Sequence, residues 1–270
     1  MKRLTCLLIL SGALCGQSLC GQSLAAAHAA EPSLPLRVIL VGDSTMATRS
    51  GYGDALCARF KPGTSCVNLA RGGRSSGSFR AEGRWDEVQS LLKDSAAYRA
   101  TVVLVQFGHN DQPGKPGRST DLVNDFPANM ARYASEVRQL GGVPVLVTPL
   151  TRRSFKGAYL KDDLAPWSSV TRKVAQHQKV ALLDLNSLSA DAVQQMGQQE
   201  ADTLAMAPPP PQESARAPTS TPASAGGEPQ GTPKSAFDRT HVGPKGAALF
   251  SGMVARELVR LVPSIAALLD

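Results

Sequence analysis

The sequence predicts an α/β fold, a three-layer α/β/α sandwich around a five-stranded parallel sheet. Three observations predict it. Five short runs rich in Val, Leu and Ile recur at Arg37–Val41, Cys66–Leu69, Thr101–Phe107, Val143–Val147 and Val180–Leu185. The runs are continuous rather than alternating, which marks strands buried on both faces, as in a parallel sheet. Helix-compatible stretches separate several of them, and alternating strands and helices build layered sheets.

The helices have their own signals. Phe126, Met130, Tyr133, Val137 and Leu140 recur at helical spacing, and Gly141-Gly142 then stops that helix. Asp86–Leu92 and Pro166–His177 read as two more, and Lys245–Leu261 as a last one after the Gly243-Pro244 turn. Residues 205–236 fit no element. They carry eight prolines among Ser, Thr, Ala, Gly and Gln, and read as a mobile insertion, either a plain loop or a lid over a cleft. Residues 30–270 otherwise read as a single domain.

The N-terminus reads as an export signal over residues 1–29. Lys2 and Arg3 form a basic start, Leu4–Leu14 an apolar stretch too short to span a bilayer, and Ala27-His28-Ala29 a small-residue cleavage site. Its removal leaves a periplasmic or secreted protein with no membrane span and takes two charges from the net +7. The remaining basic residues are scattered, which argues against a nucleic-acid partner. Of five cysteines only Cys57 and Cys66 survive removal. In an oxidising compartment the pair suggests a disulfide, with two buried thiols as the alternative.

Three polar runs, GDSTM, ARGGRSS and GHND, each begin where one of the first three strands ends. In such sheets ligands bind beyond the carboxyl ends of the strands. Ser44 of GDSTM sits at the mouth of the sheet, as a nucleophile or as a capped turn. Gly72-Gly73 can aim backbone amides into a cleft, or form a flexible turn. Asn110 of GHND can donate its side-chain amide. A P-loop is excluded, because Gly108 to Lys115 has the wrong spacing and Pro116 replaces the required hydroxyl.

Ester hydrolysis needs a hydroxyl, an imidazole base, a carboxylate that orients it, and donors for the oxyanion. Among the histidines, His177 ends a surface helix, and His109 is either functional or a loop-fixing hydrogen bonder. His241 follows Asp238 by three residues, so one turn can unite acid and base. Ser44, Asp238, His241, Gly73 and Asn110 thus supply each part once. Asp43 and Asp111 read as residues that hold their loops by hydrogen bonds. Paired-carboxylate glycosidase chemistry would leave His241 and the oxyanion donors unexplained.

These blocks resemble the SGNH hydrolase superfamily, over essentially the whole chain from Val38 to about Leu258. GDSTM, NLARGGRSSGSFRAEGRW and QFGHND are most similar to its rhamnogalacturonan acetylesterase branch. The resemblance implies a flavodoxin-like fold and an esterase that deacetylates a glycan, most simply rhamnogalacturonan in pectin, as a monomer without metal or organic cofactor. It makes Ser44 the nucleophile, Asp238 and His241 its triad partners, and Gly73, Asn110 and the Ser44 N–H the oxyanion donors. Arg74 and Arg80, with Arg71 and Arg84, could meet galacturonate carboxylates or serve as a solvated, loop-bracing set. Acetylated xylan or another glycan, transfer of the acyl group to a cell-envelope sugar, and non-catalytic glycan binding are the competing readings. The proline-rich insertion departs from the family pattern and bears on substrate range.

Overall fold

Every residue of β1 (Leu36–Gly42) is buried, and so is β3 (Ala100–Gln106) beyond its first residue. Strands of this kind need cover on both faces. The structure, a computed structural model that describes residues 34–209 and 237–269, provides it. After β1 come α1 (Gly53–Cys57), β2 (Ser65–Asn68), α2 (Ser78–Ala81), α3 (Arg84–Lys93) and β3. They are followed by α4 (Asp125–Gln139), β4 (Val143–Val147), a small hairpin of β5 (Phe155–Lys156) and β6 (Tyr159–Leu160), and α5 (Ala165–Gln178). The last elements are β7 (Ala181–Leu183), α6 (Leu185–Asp202), α7 (Pro244–Leu261) and a 3₁₀ turn at Pro263–Leu268.

The main sheet has five strands in the order β2-β1-β3-β4-β7, with all neighbours parallel. This is the flavodoxin-like order, whose switch point lies between β1 and β3. Side chains alternate between two cores. Val38 and Leu40 pack with Leu56 of α1, Val193 of α6 and Phe250 of α7. Ile39 and Val41 pack with Val88 of α3, Met130 of α4 and Val174 of α5. The three-layer α/β/α sandwich with a parallel five-stranded sheet is therefore observed.

Four expected helices are present, three with slightly longer bounds and α4 shifted by one residue, and Gly141, at φ +78°, takes the left-handed conformation that ends α4. Three helices were not expected. Segments α1 and α2 are short, and α6 is rich in Ser, Gln and Asp and carries a non-helical Gly197. The fifth apolar run yields only Ala181–Leu183 as strand. Asp184 instead precedes α6, and Leu185 is that helix's first residue.

Cys57, at the end of α1, is bonded to Cys66 of β2, with their Cα atoms 5.3 Å apart. Closing so short a loop restrains the unfolded chain by about 2–3 kcal/mol. The first residues of the proline-rich insertion belong to the packed domain. Ala205 is buried, its N–H donates to Asp202 O, and Leu204 O accepts from Gly243 N–H. The rest of that insertion, from 210 to 236, and the export signal lie outside the described residues. No described helix is long and apolar enough to cross a membrane.

Candidate active site

At the end of β1 the chain turns at once. The N–H groups of Met46 and Ala47 both donate to Asp43 O, and the Asp43 carboxylate closes the turn from inside. Its Oδ1 accepts the Thr45 N–H at 2.9 Å and the Thr45 hydroxyl at 2.8 Å. Ser44 sits at the apex, 6% exposed. Behind it a buried relay fixes Thr45. The Tyr52 hydroxyl donates to Gln106 Oε1 at 2.6 Å, and Gln106 Nε2 donates to Thr45 Oγ1 at 2.7 Å. Burial holds the Tyr52 phenol well above its ordinary pKa, so it remains a donor.

The loops after β2 and β3 are bound to each other. Asn110 Nδ2 donates to Arg74 O at 3.0 Å, which commits one amide hydrogen and leaves the second to be placed. Gly73, buried with φ +77°, shapes the adjoining bend. Asp111 binds the same loop: its carboxylate accepts from the Ser76 hydroxyl at 2.6 Å, the Ser76 N–H and the Thr120 hydroxyl. Asp43 and Asp111 thus do hold their loops, although Asp111 reaches a loop far away in sequence.

Burial pushes Asp111 up to about 6, more than its Ser76 and Thr120 donors lower it. A carboxyl whose folded pKa is raised favours folding when protonated, and that contribution fades as pH rises through about 6. The unfolding free energy of wild type relative to Asp111→Asn should therefore fall between pH 4 and 7. A rise of this size from the ordinary carboxyl value corresponds to on the order of 3 kcal/mol. Urea titrations of both proteins across this range measure it, and parallel pH curves would contradict it.

The DRTH segment is folded around its own acid. Asp238 Oδ1 accepts the N–H groups of Thr240 at 2.8 Å and His241 at 2.6 Å, while Oδ2 lies 2.9 Å from His241 Nδ1. The side chains of His241 and Asp238 are 18% and 28% exposed, so the pair lies near the surface. Burial raises the Asp238 pKa, but the His241 contact and the two backbone donors outweigh it and hold the carboxyl below its ordinary value.

Two ties join this segment to the rest of the site. Ser50 bridges it to the Ser44 turn: its hydroxyl donates to Ser44 O at 2.8 Å and its carbonyl accepts the Val242 N–H at 3.0 Å. Arg153, fully buried beyond the end of β4, supports it from beneath. Its Nη2 donates to Asp238 O at 2.8 Å and His241 O at 2.7 Å, Nη1 to Thr240 O at 3.4 Å, and its own N–H to Arg239 O at 2.8 Å. Nothing in the run TRRS distinguishes Arg153 beyond its place after a strand. The serine, the acid–base pair and the oxyanion candidates thus sit on loops that bond to one another.

Arg74 and Arg80 both pair with carboxylates of the protein itself. Arg80 is not a free reader of substrate. Its guanidinium bonds Glu136 at 2.6 Å and lies over the rings of Trp85 and Tyr133. The carboxylate it meets comes from α4, which accords with the loop-bracing alternative. Arg74 is closer to the centre, yet its Nε pairs with Glu82 at 2.9 Å and its Nη1 donates to Gly72 O. Both act as loop braces. His177 is exposed, and His109 is buried beside Asp43. Among the described residues no cluster of three His, Cys, Asp or Glu side chains could hold a metal.

Residues 39–208 match the profile of the GDSL-like Lipase/Acylhydrolase family. That span contains Ser44, Gly73 and Asn110 and ends before Asp238. Two Bacillus subtilis proteins are similar in sequence. The probable rhamnogalacturonan acetylesterase YesY is 27% identical over 176 residues, 63% of this chain and 79% of that protein. The rhamnogalacturonan acetylesterase RhgT is 30% identical over 178 residues, 63% of this chain and 73% of that protein. Among solved structures, Bacillus subtilis YxiM superposes with a TM-score of 0.63 at 20% identity, over 87% of this chain and 59% of that one. A variant of Axe2, an acetyl-xylooligosaccharide esterase from a Geobacillus, superposes at 0.55 with 16% identity, over 84% and 96%. Identities this low speak to the fold.

Proposed function

We propose a mechanism for a chain that belongs to the GDSL-like lipase/acylhydrolase family, within the rhamnogalacturonan acetylesterase-like branch of the SGNH hydrolases, and is a carboxylic ester hydrolase. It removes acetyl groups from a carbohydrate, and the names of its relatives favour the rhamnogalacturonan backbone of pectin.

The observation that carries this reading is the Asp238–His241 pair, 2.9 Å apart and linked through Ser50 to the turn that presents Ser44. The Ser44 hydroxyl attacks the acetyl carbonyl while His241 Nε2 takes its proton. Asp238 fixes the Nδ1–H tautomer and stabilises the imidazolium. The oxyanion is met by the Ser44 and Gly73 N–H groups and the second amide hydrogen of Asn110. One such donor is typically worth about 3–4 kcal/mol. His241 then returns the proton to the sugar oxygen as the C–O bond breaks. Water, deprotonated by His241, releases acetate and regenerates Ser44.

Two cationic side chains lie near Asn110, although Arg152 is paired with Asp163 and Lys115 Nζ donates to His109 O, so the case for an acidic glycan rests on the relatives. Arg152 and Lys115 lie close enough to His109 to act on its charge, and burial first, then Arg152, brings Lys115 down to about 8. We also read the chain as exported, in keeping with the Cys57–Cys66 disulfide.

Acetate release from acetylated rhamnogalacturonan, acetylxylan and p-nitrophenyl acetate tests the proposal. Wild type should act fastest on rhamnogalacturonan, and Ser44→Ala should lose about 10³-fold or more on every ester. Equal turnover by the two proteins would refute the mechanism. Preference for xylan would refute only the choice of glycan.

A further inference from the structure

The nucleophile turn and the oxyanion loop meet at a buried acid–base pair that the triad does not use. Asp43 is fully buried and His109 is 2% exposed, with Nδ1 3.3 Å from Asp43 Oδ2. Apart from this contact, which is longer than a well-formed hydrogen bond, that oxygen and both ring nitrogens have no hydrogen-bond partner among the described residues. Polar groups buried with so few partners destabilise the fold, a cost that an apolar side chain at position 109 would avoid. The pair's position gives it a use. Asp43 Oδ1 shapes the turn at Ser44, and His109 directly precedes Asn110, whose amide is bound to Arg74 O.

We propose that His109 is a positioning residue, whose Nδ1–H on Asp43 Oδ2 sets the nucleophile turn against the loop that carries Asn110. The inference rests on Ser44 being the nucleophile. The groups around the imidazole agree with a neutral ring and one N–H. Burial lowers the His109 pKa, Lys115 of its own loop and Arg152 from beyond β4 add to this, and Asp43 opposes it without prevailing. Asp43 remains ionised: burial raises its pKa, but His109 and the Thr45 donors bring it below the ordinary carboxylate value. Lys115 Nζ also donates to His109 O, which fixes the backbone beneath the ring.

Two conservative variants separate positioning from simple packing. His109→Asn places an N–H donor where Nδ1 stands, whereas His109→Gln carries its donor one bond too far. Asn should keep kcat within about threefold of wild type. Gln should lower kcat at least tenfold with KM within threefold, because a small misplacement of reacting groups costs rate before binding. Turnover is read per folded site, with folded concentration taken from near-UV circular dichroism, so partial unfolding does not imitate the effect. Equal kcat for Asn and Gln, or a loss carried by KM alone, would overturn the proposal. Ser44→Ala, run alongside, keeps the two claims apart. If it stays active the nucleophile assignment fails, whereas a dead Ser44→Ala beside an unimpaired His109→Gln removes only the role of His109.

Discussion

Replacing Asp238 with asparagine is expected to lower kcat by about 10³- to 10⁴-fold while leaving the fold intact. The two halves of this expectation come from the two oxygens of one carboxylate. Oδ1 accepts the N–H groups of Thr240 and His241, and an asparagine carbonyl can accept both as well. The DRTH turn should therefore survive. Oδ2 faces His241 Nδ1 at 2.9 Å, and there asparagine presents an NH₂ group. The imidazole must answer with an unprotonated Nδ1, which moves its hydrogen to Nε2 and leaves no lone pair for the Ser44 proton. KM should change little, since the exchange is isosteric and acts through the tautomer of His241. Steady-state kinetics with p-nitrophenyl acetate, beside a thermal melt, measure both halves. A variant within tenfold of wild type would mean that His241 does not depend on Asp238.

The acid held below its ordinary pKa also sets a direction with pH. Its stabilising contact with His241 is present above the unfolded carboxyl value near 4 and is lost as pH falls through the lower folded value. That loss runs opposite to the behaviour of Asp111, whose contribution fades on the alkaline side. The two carboxylates differ because Asp238 has an imidazole partner and partial exposure. Asp111 is wholly buried, and its donors among the described residues are hydroxyl and amide groups.

Much of this site was legible in the chain because its parts are local. GDST closes its turn with its own Asp43, and DRTH closes with its own Asp238, so a window of a few residues contains both partners. The strands were legible for a related reason: β1, β3 and most of β4 are covered on both faces, and such strands are dominated by apolar residues. What depends on distant pairing was not legible. In sequence Arg80 is one more surface cation, and only folding brings it Glu136, 56 residues away. Arg153 resembles any polar residue after a strand, yet it contacts a segment more than 80 residues ahead. The α6 helix, interrupted by a non-helical Gly197, gains its place from the neighbours that cover Val193 and Ala201 rather than from its own periodicity.

Arg153 is where the distant pairing should have its largest effect. Arg153→Met keeps the length and apolar stem of the side chain and removes the guanidinium. The carbonyls of Asp238 and His241, and more weakly that of Thr240, then lose a donor inside the protein. Each buried acceptor so stripped costs about 1–3 kcal/mol, which puts the expected loss at about 3–5 kcal/mol, reduced wherever water can reach the loop. Part of the wild-type benefit is offset already. Burial brings this guanidinium down to about 10, and its Nε has no hydrogen-bond partner among the described residues. The catalytic effect should be separate and larger. His241 keeps its bond to Asp238, but the segment that carries both is released from the end of β4, and ångström-scale drift costs about 10²-fold in rate. Arg153→Lys should recover little of it, since one ammonium group cannot span three carbonyls in the plane of a guanidinium. Urea unfolding and kcat measured on the same samples test the pair of effects. A destabilised Arg153→Met with undiminished kcat per folded site would show that the arginine supports the fold and that Asp238 and His241 keep their register without it.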